Sequence, residues 1–173
     1  VGERGCMAKI TGISYYRFAM KLDPVTKYPV VAEGVNEAIN GLAKRDLGVS
    51  VFNGSEWDAN KPVNGRTQTY CYNQKLARSA DALYLLAANQ NEKTFSFYQY
   101  KDKNWTVMQS DLVIEGVTDI CTYFADIECD SKGNVYAAIG DNSSGHYLCN
   151  IYKYDGTAFV KAFNPIPNAT FDN

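Results

Sequence analysis

The chain is poor in the residues that most often announce chemistry. It has one histidine, His146, in 173 residues, too few to complete a Cys/His zinc site, and no cysteines stand in a CxxC pair. There is no Gly-x-Ser-x-Gly elbow, which removes the familiar signature of a serine hydrolase. Lys and Arg are scattered singly against a slightly larger number of Asp and Glu, for a formal net charge of −2. Gripping phosphates needs a clustered basic field, so the charge pattern argues against nucleic acid as a partner. No apolar run reaches the length that spans a bilayer. The chain starts at Val1 rather than Met, which reads as a processed or trimmed amino terminus, so a missing leader says nothing about compartment. Five cysteines (Cys6, Cys71, Cys121, Cys129, Cys149) are an odd number, and at least one must lack an internal disulfide partner. Most fall among strand residues, where a thiol acts as a small apolar filler, with one disulfide as the alternative.

What the chain does have is tyrosine, 13 of them, together with β-branched residues and Asn/Gly turn formers. That composition favours strands and tight turns over helices. The stretch Ile151-Tyr-Lys-Tyr-Asp-Gly-Thr-Ala-Phe159 has counterparts in Phe97-Tyr-Gln-Tyr-Lys-Asp-Lys-Asn-Trp105 and Val49-Ser-Val-Phe-Asn-Gly-Ser-Glu-Trp57. Each alternates large and small side chains, turns on polar residues and lands on an aromatic ring, the pattern of a half-buried strand followed by its hairpin partner. Spacings of 48 and 54 residues match a four-stranded propeller blade.

These repeats predict an all-β chain: an incomplete β-propeller of about three four-stranded antiparallel blades in one domain over 1–173. The blades fall at about 13–58, 68–109 and 120–163, and an extra strand at 6–10 belongs to a preceding blade. Tyr28, Tyr84 and Tyr136 are expected at one recurring position, and Trp57, Trp105 and Phe159 at another, because facing blades must fill the same wedge. The connection at 35–46 is longer than its counterparts, and apolar residues at 35, 38, 39 and 42 predict one or two helical turns there. Three blades fall short of the usual four to eight, so the chain is either a fragment of a larger propeller or half of a ring closed by a second copy.

In the third unit, Asp126-Ile-Glu-Cys-Asp-Ser-Lys-Gly-Asn-Val-Tyr-Ala-Ala-Ile-Gly-Asp141 resembles a blade of the NHL and SMP-30-type β-propellers. Asp130, Gly133, Asn134 and Tyr136 carry the likeness across about 40 residues, and the first two units share the layout without the motif. The resemblance implies a metal in the channel. Asp126, Glu128 and Asp130 alternate, so on a strand they share a face and are the candidate oxygen ligands, with Ca2+ the cation they suit. Ligands from one blade alone fall short of a full coordination shell.

Two further groups are candidates for ligand binding. Lys44, Arg45 and Asp46 lie in the long connection from a second to a third strand, and Arg66, Glu115 and Asp119 in connections between blades. Those loops gather at one end of a propeller, and loops on a rigid scaffold are where function concentrates. Asp141 and His146 flank the serine-containing loop before the last motif strand, where sequence neighbours in one loop rarely assemble a catalytic triad. No catalytic residue is assigned. Four Asn-x-Ser/Thr sites (Asn53, Asn104, Asn142, Asn168) matter only if the chain is exported. Together these features point to a non-enzymatic recognition scaffold of an exported or cell-surface protein, secreted or in the cell envelope. It would bind carbohydrate or protein through loops at one end and either self-associate or join further blades. The alternative is a metal-dependent hydrolase or lyase of the SMP-30 type, with part of its site outside this chain.

Overall fold

The computed structural model describes residues 13–35, 38–63, 71–89, 91–113, 120–141 and 148–163, and none of them is helical. The alternating stretches form twelve strands in three antiparallel four-stranded meanders. Blade 1 is β1 (Ile13–Leu22), β2 (Pro29–Val35), β3 (Leu47–Phe52) and β4 (Trp57–Pro62). Blade 2 is β5 (Cys71–Arg78), β6 (Leu83–Asn89), β7 (Thr94–Lys101) and β8 (Asn104–Leu112). Blade 3 is β9 (Ile120–Cys129), β10 (Val135–Asp141), β11 (Leu148–Tyr154) and β12 (Phe159–Lys161). The first strands pack side by side in the order β1, β5, β9, so the blades stack like part of a propeller around its innermost strands. The strand expected at 6–10 lies outside the described residues.

The ladder registers align the blades residue by residue. Phe52 pairs with Trp57, Tyr100 with Trp105 and Tyr154 with Phe159, and the ring centroids of these pairs are 5.5, 5.0 and 5.3 Å apart. The three aromatic landings therefore occupy one position, as the pattern required. Tyr28 does not join Tyr84 and Tyr136. Val30, opposite Lys21 and Val51, takes the place of Tyr84 and Tyr136. The turn between β1 and β2 runs from 23 to 28, two residues longer than the 79–82 turn of blade 2, and Tyr28 ends up before the strand rather than in it.

The expected helical turns within 35–46 are replaced, over the described residues, by a tiny hairpin. Ile39 and Leu42 exchange backbone hydrogen bonds of 3.0 and 2.8 Å around Asn40 and Gly41, at φ 50° and 79°. Two successive left-handed residues make the two-residue turn that Asn-Gly encodes, and that local preference overrides the helical spacing of the apolar residues around it.

Burial explains why the middle blade reads as the most apolar. All seven residues of β6 are buried, because blade 2 is covered on both faces and its strands need not alternate. Between blades 1 and 2, Ala32, Leu47 and Val49 meet Leu76, Leu85 and Tyr98. Between blades 2 and 3, Leu86, Phe95 and Phe97 meet Ile127, Ile139 and Phe159. Cys71, Cys129 and Cys149 are free thiols. Cys71 is part of the core between blades 1 and 2, and burial, helped by the charge of Asp46, pushes its thiol up to about 12. It serves as an apolar filler, inert at neutral pH.

Candidate functional site

Because each blade is a meander, the turns after its first and third strands lie at one end of the stack. The first-strand turns begin with Asp23, Ser79 and Asp130, and each side chain accepts backbone N–H bonds from the residues it turns. Short polar side chains that mimic a backbone turn stabilise such corners. The third-strand turns are alike in blades 1 and 3. Asn53 Oδ1 accepts from the N–H groups of Ser55 and Glu56 at 2.9 and 3.0 Å, as Asp155 Oδ1 does from Thr157 and Ala158. Blade 2 instead turns in two residues, Asp102 and Lys103, both left-handed at φ 51° and 64°.

That shorter turn leaves room beside the longer one of blade 1. A cleft of about 590 Å³ opens there between the two blades, and its wall carries four rings: Tyr28, Phe52 and Trp57 of blade 1 and Tyr100 of blade 2. Tyr28 stands edge-on to Phe52 at 5.6 Å and 86°, and Phe52 tilts onto Trp57, an arrangement that ring quadrupoles favour. Gly54 permits it. A Cβ at Gly54 would stand 2.8 Å from Tyr28 Oη, and the residue sits at φ +106°, so both space and backbone demand glycine. The indole Nε1 of Trp57 is buried with no hydrogen-bond partner.

Three carboxylates, Asp23, Glu56 and Asp58, and the amine of Lys103 share the cleft with these rings. Asp23 is buried, and burial followed by its charge raises the Tyr100 phenol above its ordinary pKa, so Tyr100 stays a neutral donor at neutral pH. An adjoining recess of about 190 Å³ shares Asp23, Tyr100 and Lys103 and reaches Asp81 and Lys101, which pair at 2.6 Å. The cleft thus presents ring faces and edges beside acceptors and donors at fixed places, the make-up of a site for a small polar ligand with an apolar side.

Lys44, Arg45, Asp46 and Asp141 sit at the opposite end, with the second-to-third strand connections. Lys44 and Arg45 are exposed, whereas Asp46 is buried, with Oδ2 accepting from the Ala43 N–H at 2.9 Å and its backbone tied to Val35 and Ala43. Neither the cleft nor the recess beside it includes these four. Arg66, Glu115, Asp119 and His146 lie outside the described residues, as do Asn142 and Asn168. Asp126 and Glu128 are exposed on one face of β9, and each accepts from the N–H that follows it. Asp130 holds its own turn through bonds from Lys132 and Asn134. Among the described residues no cluster of three or more His, Cys, Asp or Glu is arranged to hold a metal ion.

Sequence reasoning passed over the cleft because Trp57 reads as a wedge residue and Tyr28 as a strand residue. The usable signal was the first turn, longer than its counterparts and bringing a third ring beside the other two.

Three meandering sheets stacked on their first strands define an incomplete β-propeller with an aromatic cleft between its first two blades. Comparison with known protein families and with curated proteins gives no match. Among solved structures the chain is similar to a fucose lectin from Kordia zhangzhouensis, solved in complex with methyl-fucoside. The two share 11% sequence identity at a TM-score of 0.50, over 86% of this chain and 99% of that one. At that identity the likeness concerns the fold.

Proposed function

We propose that this chain is a non-enzymatic recognition module, of an exported or cell-surface protein, that binds carbohydrate in the cleft between blades 1 and 2. The observation that carries the reading is the pairing of Tyr28, Phe52 and Trp57 with the carboxylates of Asp23, Glu56 and Asp58 in one opening. A sugar has an apolar C–H face and a rim of hydroxyl donors. Aromatic rings cover the first, and carboxylates accept from the second with charge-assisted hydrogen bonds. The similarity in fold to a lectin supports the same reading, by analogy of scaffold rather than of site.

The test is a glycan array followed by calorimetry with the best neutral saccharide. Trp57→Ala and Glu56→Gln should each weaken binding at least about tenfold, the loss of one stacked ring or one charged hydrogen bond. Binding that survives both would remove the cleft from the site. The rival reading, a metal-dependent hydrolase or lyase, rests on Asp126, Glu128 and Asp130, none of which lines this cleft. A stoichiometric cation in elemental analysis of the native protein would favour it instead.

A further inference from the structure

The cleft between blades 1 and 2 is acidic as well as aromatic. Its three carboxylates share it with one amine, Lys103, and the adjoining recess adds Asp81 and Asp102 against Lys101. Five carboxylates against two amines give a formal −3, in a chain whose total is −2. Two of the five are already answered. Lys61 pairs with Asp58 at 3.2 Å and Lys101 with Asp81 at 2.6 Å. Lys27, in the first turn, gives its amine to the Pro24 carbonyl instead. Among the described residues Asp23, Glu56 and Asp102 have no ion-pair partner.

Asp23 is the least accessible of these, at 5% exposed. Its Oδ1 accepts from the N–H groups of Val25 and Thr26 at 2.8 and 3.4 Å, and its Oδ2 accepts no hydrogen bond among the described residues. A carboxylate so deeply set is costly unless a donor or cation meets it, and Asp23 lines both the cleft and its recess. Four rings share the wall, and an ammonium is drawn to ring faces as it is to carboxylates. The fold alone does not produce this combination. The opening at the same end between blades 2 and 3, about 490 Å³, has no ring and balances Asp81 and Asp130 with Arg78 and Lys132.

We propose that the saccharide taken by this cleft is a cationic one, an amino sugar whose free ammonium group is held by Asp23, Glu56 and the surrounding rings. The inference rests on the carbohydrate reading and adds to it the sign of the ligand's charge. The C–H face of the sugar packs on the rings as any hexose does, and the ammonium supplies the charge that the carboxylates lack. A uronate or a sulfate ester meets the same carboxylates as like charges and is rejected.

The test is an array carrying free-amine, N-acetylated and uronic-acid forms of the same gluco and galacto oligosaccharides, followed by calorimetry of the best amine and acetyl pair. At about pH 6, where such an amine is protonated, the amine form should bind at least about tenfold more tightly than the acetylated form. Added salt should narrow that ratio, because it screens charges without affecting a neutral sugar. Glu56→Gln and Asp23→Asn should each cut the ratio about threefold, the second keeping an oxygen for the turn, and Lys103→Gln should raise it. If Asp23→Asn disturbs the far-UV spectrum, the exposed Glu56 carries the test with Lys103. An acetylated form that binds as tightly as the amine, or an array with only neutral or acidic binders, would overturn the charge preference and leave the carbohydrate reading standing. An array without any binder would overturn both. A preference that all three variants leave unchanged would overturn its assignment to this cleft.

Discussion

The joint between blades 1 and 2 and the joint between blades 2 and 3 are built at equivalent positions and have opposite characters. At the positions where blade 2 offers blade 3 Tyr84, Leu86, Phe95 and Phe97, blade 1 offers blade 2 only Val30, Ala32, Leu47 and Val49. Large rings fill the second joint. Phe97 stacks on Phe159 with centroids 3.8 Å apart, and the Phe159 N–H donates to Gln109 Oε1 across the joint at 2.7 Å. Smaller side chains let the first joint pack tightly near the innermost strands, and at its turn-bearing end it opens into the cleft. Nearly the same backbone thus gives a sealed joint or an open cleft, according to side-chain volume and the length of one turn.

The sharpest way to break this comparison is to empty the sealed joint. Phe159→Ala removes a buried ring stacked on another and should cost about 3–5 kcal/mol, as large-to-small core changes do. The check is the midpoint of urea unfolding at constant slope. A loss below about 1 kcal/mol would mean that the second joint is no better packed than the first.

A smaller effect separates blade 1 from its neighbours through Glu33, whose register counterparts are Ala87 and Ile139. Glu33 is fully buried. Its Oε1 accepts from Ser50 Oγ at 3.2 Å, and Oε2 has no partner. Burial, only partly offset by the Ser50 bond, lifts its pKa from 4.5 to about 7. A carboxyl whose pKa is raised on folding binds its proton more tightly in the folded state. Its contribution to stability is therefore fully present below pH 4.5 and is lost as the pH rises through 7. Unfolding free energy should fall by roughly 2–3 kcal/mol between pH 5 and 8, and Glu33→Gln should flatten that profile. A wild-type profile already flat over this range would contradict the assignment.

How much of this was legible beforehand follows from which signals are local. Strand alternation and the aromatic landings at 57, 105 and 159 fixed the blades, because a period of two and a repeated turn need no tertiary information. The cleft depended on a difference between two blades, on Val49 standing where Phe97 stands and on a turn two residues longer. Such a difference has meaning only once the register is known. The helical spacing at 35–46 misled for a related reason: four apolar residues fit a helix, yet Asn40-Gly41 fixes the backbone before packing is decided. The stacking of Phe97 on Phe159 joins residues 62 apart in sequence, and no window of local pattern reaches that far.

Within the cleft, Trp57→Ala should cost less than Phe159→Ala, about 1–2 kcal/mol, because Trp57 is only half-buried and its indole N–H is already unpaired. Its larger consequence should be the loss of saccharide binding. Comparable losses of stability from Trp57→Ala and Phe159→Ala would erase the distinction between an open joint and a sealed one.

The smallest expected effect lies at the other end of the stack. Replacing Lys44 by Ser and Arg45 by Asn, with Asp46 kept, should change stability by no more than about 0.5 kcal/mol and leave saccharide affinity unaltered. Asp46 must stay, because its buried carboxylate and backbone hold the loop against Ala43 and Val35. Asn suits position 45 because Arg45 has φ 72°, a conformation that Asn tolerates better than most residues. A clear loss of affinity in this double variant, with the unfolding midpoint unchanged, would move the binding site to the end that carries the long connections and leave the aromatic cleft a packing feature.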